Sequence, residues 1–187
     1  MTIYVAWIGE GPEPPRLLDP AIAALQREFQ MAARRAWIDE RSPNAFDVRR
    51  QQHSSRVILE WLAGRMPADG AKLLGVTGMD LFIPVLTFVF GEAQLAGRVA
   101  VVSTARLREP PADALVRARL AKESVHEVGH TFGLVHCASS ACVMARSPAL
   151  AAVDLKQDRL CPDCRSRFRD LREQSYVAAR PPYPDCR

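Results

Sequence analysis

The chain has 187 residues, of which 48% are hydrophobic and 25% are charged, and its formal net charge is +4. This length suits one well-buried core and is too short for two domains of ordinary size. The balanced composition excludes a wholly disordered or fibrous protein, and the small positive charge points to no particular partner.

The first predicted elements are a strand and a helix. Residues 3–8 form an apolar run rich in β-branched and aromatic residues, which predicts a strand that ends before the following prolines. The run is too short to span a bilayer and no basic leader precedes it, so we expect neither a membrane span nor a signal peptide. Asp19 and Pro20 favour a helix start, and the apolar spacing that follows predicts a helix ending near Arg34.

The middle of the chain alternates strand and helix patterns. Four apolar runs have the length of strands: residues 36–38, 73–77, 85–90 and 99–102. Residues 48–64 have one apolar helical face, and the segment from Gly91 to Gly97 joins the last two strands in a predicted hairpin. Strands separated by helices indicate an α/β fold with a mixed, twisted sheet, to which the hairpin adds an antiparallel edge.

A long helix is predicted to begin at Pro110 and Pro111, because apolar residues recur at helical spacing as far as Phe132. Gly133 directly follows that run and is expected to end the helix. The chemistry that the sequence indicates lies at this end of the helix.

Three of the four histidines of the chain lie between residues 126 and 136. His126 and His130 are four residues apart, so a helix places both on one face, where they can bind one metal ion. Gly133 permits a left-handed turn that reverses the chain and brings His136 to the same ion. Three imidazoles leave one coordination position open, as in catalytic zinc sites. The fourth histidine, His53, is expected at a helix start or on the surface.

Glu127 lies beside the first of these histidines without being a ligand. A carboxylate at this position of an H-E-x-x-H motif acts as a base towards a water molecule on the zinc, whose pKa the metal lowers towards about 7. We therefore predict a zinc metallopeptidase that hydrolyses peptide bonds with zinc-activated water and Glu127 as general base. The alternative is a catalytically silent, zinc-stabilised peptide-binding module, against which an intact Glu127 argues.

Four cysteines follow the histidines and supply four sulfurs with no open position: Cys137, Cys142, Cys161 and Cys164. This set is typical of a structural zinc site. A C-x-x-C pair also occurs in redox sites, but the second pair of cysteines favours zinc. Cysteines without a secretory signal are typical of reducing compartments, so we expect a cytoplasmic protein.

The end of the chain is predicted to be an irregular segment to about Leu160, a charged helix from Pro162 to about Tyr176, and a mobile proline-rich tail that contains the free thiol of Cys186. We divide the chain into three parts: the sheet and long helix (1–136), the four-cysteine part with the last helix (137–180) and the tail (181–187).

These motifs together resemble a known family. The extended histidine motif is the mark of the metzincin clan, and the cysteine that directly follows it, with the other three cysteines and Met144 between them, resembles the archaemetzincins. The resemblance implies a compact α/β peptidase domain with a catalytic zinc and a small C-terminal four-cysteine subdomain with a second, structural zinc. It implies two further roles. Met144 would form an apolar turn beneath the catalytic zinc, and an edge strand of four residues would bind extended substrate by main-chain hydrogen bonds: Phe88, Val89, Phe90 and Gly91.

The expected partner is a peptide or protein substrate, and we expect a monomer without membrane or nucleic-acid partners. Nucleic-acid binding is a third interpretation, because the last helix carries four basic residues: Arg165, Arg167, Arg169 and Arg172. Three acidic residues interrupt this stripe, which favours a solvated helix face instead: Asp163, Asp170 and Glu173.

Overall fold

A five-stranded sheet lies at the centre of the computed structural model, which describes residues 1–9, 14, 16–38, 43–109 and 112–178. Two predictions, the tail with Cys186 and the start of the long helix at Pro110 and Pro111, lie outside these residues. The helices and strands follow one another as β1 (Thr2–Trp7), α1 (Asp19–Phe29), β2 (Ala32–Ala36), β3 (Phe46–Asp47), β4 (Gln52–Ser54), α2 (Ser55–Ala63), β5 (Gly70–Thr77), β6 (Leu81–Phe82), β7 (Gly91–Ala93), β8 (Val99–Ser103), α3 (Asp113–Thr131), α4 (Leu150–Leu155) and α5 (Pro162–Ala178).

The strand order of the central sheet is β2-β1-β5-β8-β7. The first four strands are parallel, and β7 pairs antiparallel with β8 at the edge. Every residue of β8 is buried, as expected for a strand covered on both faces. A smaller sheet contains β3, β4 and β6. The predicted α/β class with a mixed sheet and an antiparallel edge is thus confirmed.

The predicted boundary between the first helix and the second strand is wrong. Helix α1 ends at Phe29, and Gln30 adopts a left-handed conformation with φ of 52°. Residues 32–36 then form β2, which pairs in parallel with β1 from Thr2↔Ala32 to Ala6↔Ala36. The apolar helical spacing continues beyond Phe29, but pairing with a strand at the start of the chain takes precedence over it.

The helix predicted for residues 48–64 forms only in its second half, as α2. Before it, the Asp47 carboxylate accepts hydrogen bonds from the backbone N–H groups of Arg49 and Arg50, at 2.8 and 3.0 Å, and stabilises a turn. Gln51 is left-handed, with φ of 55°, and β4 follows it directly. Helix α2 therefore begins only after this turn and β4, at Ser55.

The strand predicted for residues 85–90 is also wrong. Residues 84–87 form a turn and a bend, and Val89 makes only an isolated antiparallel bridge with Leu81. The edge strand begins at Gly91 instead. Within the segment predicted to be irregular up to Leu160, the short helix α4 forms, whereas the last helix is found where it was predicted, as α5.

Helix α3 packs against one face of the central sheet, beside α1, and α2 packs against the other face. The larger hydrophobic cluster contains residues of the sheet, α1 and α3, and also C-terminal residues that include Met144 and Phe168. None of the helices in the described part of the chain combines the length and apolar character needed to cross a bilayer.

Candidate active site

Three histidines converge at the C-terminal end of α3. One ring nitrogen of each lies within 4.8 Å of the others, and the Nε2 atoms of His126 and His130 are 3.1 Å apart. Gly133 has the predicted left-handed conformation, with φ of 92°, and the chain reverses there. After the reversal, the centroid of the His136 ring lies 4.9 Å from the centroid of the His130 ring. The structure therefore brings together the three ligands that the spacing predicts.

Two backbone carbonyl groups orient the rings of His126 and His130. Nδ1 of His126 lies 2.8 Å from the carbonyl oxygen of Val143, and Nδ1 of His130 lies 2.7 Å from that of Leu134. A neutral imidazole that donates Nδ1–H to a carbonyl presents the lone pair of Nε2, which is the form that binds a metal. The sequence could not reveal these two contacts, because every residue type has a carbonyl group.

The chemistry of this donor set fits zinc. Burial lowers the pKa of His126 well below its usual value and also lowers the pKa of His130, which favours the neutral form of both rings. Their two Nε2 lone pairs then face each other at 3.1 Å without a proton between them. A cation bound by both nitrogens removes this repulsion, and His136, which is exposed, leaves the site open to substrate.

Glu127 lies on α3 beside the histidines, and its side chain is only 6% exposed. Burial raises its pKa well above the usual value, the charge of Glu123 raises it further, and the ammonium group of Lys156 opposes them. Gly91 of the edge strand passes directly over this side chain, since a Cβ atom at Gly91 would lie 2.6 Å from Cγ of Glu127. The contact with Gly91 holds the carboxyl group in place, and burial favours its protonated form more than water does.

Met144 is fully buried and packs against the helix turn between His126 and His130. Its sulfur lies only 2.6 Å from the position that a Cβ atom at Gly129 would take, which is too close for both atoms. The position of the Met144 side chain therefore requires a glycine at position 129. Gly129 was not singled out from the sequence, because its contact is with a residue in a different segment.

Three of the four residues predicted to form a substrate-binding edge strand lie outside that strand. Only Gly91 lies in the edge strand β7, while Phe88, Val89 and Phe90 precede it. The backbone N–H of Val89 already donates to the carbonyl oxygen of Leu81, at 2.9 Å. The free edge of the sheet beside Glu127 is therefore β7 itself.

Four cysteine sulfurs form a second cluster directly after the histidines. The sulfurs of Cys137, Cys142, Cys161 and Cys164 all lie within 4.8 Å of one another, and all four cysteines are free. Backbone N–H groups approach two of these sulfurs at 3.4 Å, from Ser139 to Cys137 and from Met144 and Cys161 to Cys142. Such contacts stabilise thiolates that bind a metal.

The cysteine cluster also fits zinc, because burial disfavours thiolates whose charge no cation balances. Burial raises the pKa of Cys142 and of Cys164 above the usual value. Burial has the same tendency at Cys161, but hydrogen bonds, first of all from the backbone of Cys164, leave its pKa lowered. A bound divalent cation deprotonates such thiols outright.

The chain matches the family described as Peptidase family M54 over residues 45–170. It is also similar to the archaemetzincin of Methanopyrus kandleri, with 42% identity over 137 residues that cover 73% of this chain and 75% of the relative. The archaemetzincin of Methanocaldococcus jannaschii is 40% identical over 131 residues, which cover 67% and 71% of the two chains.

Solved structures give the same picture. The crystal structure of the Methanopyrus kandleri archaemetzincin matches with a TM-score of 0.84 and 34% identity, over 92% of this chain and 96% of that chain. A zinc-dependent peptidase from Methanocorpusculum labreanum matches with a TM-score of 0.79 and 30% identity, over 89% and 99% of the two chains.

Proposed function

We propose a role for each group of residues in this chain, which belongs to the archaemetzincins, peptidase family M54, and is a zinc metallopeptidase. His126, His130 and His136 bind the catalytic zinc, and Glu127 is the general base. The observation that carries this proposal is the convergence of three imidazoles, two of them oriented by backbone carbonyl groups, beside a buried carboxyl group.

A zinc ion held by His126, His130 and His136 would supply a Lewis acid for the scissile carbonyl and would make the attacking water more acidic. Glu127 takes a proton from that water and later passes it to the leaving nitrogen. The raised pKa of Glu127 supports this role, because the carboxyl group must hold the proton between the two transfers. Gly91 restricts the position of the carboxyl group by its contact with Cγ.

We also propose a second, structural zinc bound by Cys137, Cys142, Cys161 and Cys164, which gives two zinc ions per chain. The closeness of the four sulfurs supports it, since no position is left for a substrate. Met144 serves as the apolar floor of the histidine site, consistent with its complete burial against α3.

An extended peptide is the substrate that the edge of the sheet favours. It binds along the edge strand, where Gly91 lies beside Glu127, with Phe88, Val89 and Phe90 leading into that strand. We further propose a cytoplasmic monomer without a nucleic-acid partner. The four free cysteines support a reducing compartment.

The Glu127→Gln variant tests the assignment of the base. General-base catalysis contributes roughly 10²–10⁴-fold to a rate, so we expect peptide hydrolysis to fall by at least about 100-fold. The zinc content should stay at the wild-type value, because Glu127 is not a ligand. Elemental analysis and a peptide-library cleavage assay give the two measurements.

Glu60→Gln on the exposed face of α2 is the matched control, and it should cleave at the wild-type rate. Undiminished cleavage by Glu127→Gln would exclude Glu127 as the base. Loss of zinc from the same variant would show instead that its carboxylate binds the metal.

A further inference from the structure

A buried ion pair lies at the start of the active-site turn of α3, and the mechanism above does not use it. Nζ of Lys156 is 2.7 Å from Oε1 of Glu123, and the two side chains are 0% and 3% exposed. Among the residues that the structure describes, neither of these two atoms has a hydrogen-bond partner elsewhere. The ammonium group is thus removed from water with a single carboxylate as its partner.

Such a pair is a poor source of stability. Removing two charges from water carries a large desolvation cost, and apolar replacements of buried pairs are often neutral or stabilising. The position of the pair suggests a different reason for its presence.

Glu123 precedes His126 and Glu127 by three and four residues on α3, so its side chain lies one turn below theirs on the same side of the helix. Lys156 directly follows α4 and begins a segment, residues 156–160, that runs beside residues 141–143. The backbone N–H of Gln157 donates to the carbonyl oxygen of Ala141, at 2.9 Å, and that of Val143 donates to the carbonyl oxygen of Arg159, at 3.0 Å.

Val143 connects this segment to the histidine site. Its carbonyl oxygen is the group that holds Nδ1 of His126, at 2.8 Å. Contacts therefore run from Glu123 through Lys156 and the paired segments to Val143, and return to α3 at His126. The ion pair closes this loop one turn away from the ligand that the loop orients.

We propose that Lys156 is a positioning residue, whose ion pair with Glu123 fixes the carbonyl group of Val143 and, through it, the orientation of His126 towards zinc. The proposal rests on the assignment of His126, His130 and His136 as zinc ligands. A neighbouring contact holds α4, which leads directly into this segment: Arg119 binds Asp154, which is 41% exposed, at 2.6 Å. That pair provides the comparison for a test.

The test replaces both members of the pair at once, in the variant Glu123→Leu with Lys156→Met. A single replacement would leave an uncompensated charge beside the site, whereas the double variant removes one positive and one negative charge. We expect about a tenfold loss of zinc affinity at the histidine site, at the low end of the 10–100-fold losses seen when partners of metal ligands are changed. The thermal stability of the protein freed of the histidine-site zinc should be retained.

Zinc affinity is measured by competition with a chromophoric chelator on the purified protein. A variant with His126→Ala and His130→Ala gives the zinc competition curve of the cysteine cluster alone. If wild type gives the same curve as this variant, the histidines are not the zinc site and both proposals fail. If wild type binds zinc there and the Glu123–Lys156 double variant binds it equally well, only the positioning role is overturned.

Asp154→Asn is the matched control, because it loosens α4, which leads into the same segment, without touching the Glu123–Lys156 pair. Its zinc affinity should stay within about twofold of wild type, well below the losses typical of disturbed ligand partners. An equal loss in this control would overturn the specific role of Lys156. If the apolar double variant does not fold, Glu123→Gln with Lys156→Gln removes the same charges with polar side chains, and the same tenfold loss is expected.

Discussion

Gly91 and Glu127 approach each other so closely that no Cβ atom fits between them. A Cβ at position 91 would lie 2.6 Å from Cγ of Glu127 and 2.7 Å from the carbonyl oxygen of Val101. The Cβ atom would clash with the backbone of β8 as well as with Glu127, so Gly91→Ala must shift the edge strand and the Glu127 side chain relative to each other. A displacement of about 1 Å at a catalytic group costs up to roughly 100-fold in rate. We expect kcat/KM for a peptide to fall by at least about tenfold, with zinc content unchanged.

Gly64→Ala is the control for this substitution. Its nearest atom is the carbonyl oxygen of Trp61 at 3.6 Å, an ordinary contact distance, so the variant should cleave peptides as wild type does. Full activity in Gly91→Ala would show that the edge strand does not restrict the base.

The residues of the two candidate metal sites could be predicted because their chemistry is local in the chain. His126 and His130 share a helix face, and Gly133 turns the chain towards His136. The carbonyl groups of Val143 and Leu134 could not be predicted, because no side-chain type marks them. Gly129 and Gly91 are visible in the sequence, but the atoms that exclude a Cβ there come from distant segments.

At the scale of elements, the C-terminus of α3 is capped by two other parts of the fold. Nζ of Lys72, on β5, donates to the carbonyl oxygens of Thr131 and Gly97, each at 2.6 Å. The backbone N–H of Ala96, in the β7–β8 hairpin, donates to the carbonyl oxygen of His130 at 2.9 Å. A positive charge and donors at this end satisfy the last carbonyl groups of the active-site helix.

The Lys72 cap should make stability depend on pH in a defined window. Burial, aided by the charge of Arg98, lowers the pKa of Lys72 to about 8. An unfolded lysine titrates at about 10.4, so between these values the unfolded chain binds more protons and stability rises with pH. We expect the difference in free energy of unfolding between wild type and Lys72→Met to grow in favour of wild type across this window. Denaturant titrations at several pH values measure it.

Arg56→Met, which removes an exposed cation from α2, is the control, and its difference from wild type should not vary over the same pH range. A constant difference for Lys72→Met as well would mean that the ammonium group keeps its ordinary pKa and is not desolvated.

Element types were easier to predict than element boundaries. Strands β1, β5 and β8 and helices α3 and α5 have clear local patterns, whereas the end of α1 is decided by the pairing of β2 with β1. Helix α4 was missed because only one of its residues, Val153, is buried. A residue of α3 holds the C-terminal end of α4: Nζ of Lys122 donates to the carbonyl oxygens of Val153 and Asp154, at 2.9 and 3.0 Å.

At the scale of the molecule, the cysteine cluster and the peptidase core are packed together. Three rings, from Phe29 on α1, Phe132 after α3 and Phe168 on α5, lie with their centroids 5.0–5.1 Å apart. Cys142 and Met144 belong to the same hydrophobic cluster as these rings. The division at residue 136 stays a prediction, but the two parts share one core, which a sequence cannot show because the rings come from three distant segments.

This shared core determines how the protein should respond to loss of the cysteine zinc. The variant with Cys161→Ser and Cys164→Ser should contain one zinc fewer per chain than wild type. Binding of a structural zinc adds to the free energy of folding, and 1 kcal/mol corresponds to roughly 2–4 °C at this chain length. We expect the melting temperature to fall by about 10 °C or more, still in one cooperative transition, as followed by circular dichroism.

Cys186→Ser leaves the four-cysteine set intact and is the control for this variant, with zinc content and melting temperature expected at the wild-type values. The backbone N–H of Cys137 donates to the carbonyl oxygen of Met144 at 2.9 Å, so the cluster holds the residue next to His136 against the floor of the histidine site. Loosening the cluster should therefore destabilise the active site and the sheet together. Two separate transitions, the upper one at the wild-type temperature, would contradict a shared core and favour an independent cysteine subdomain.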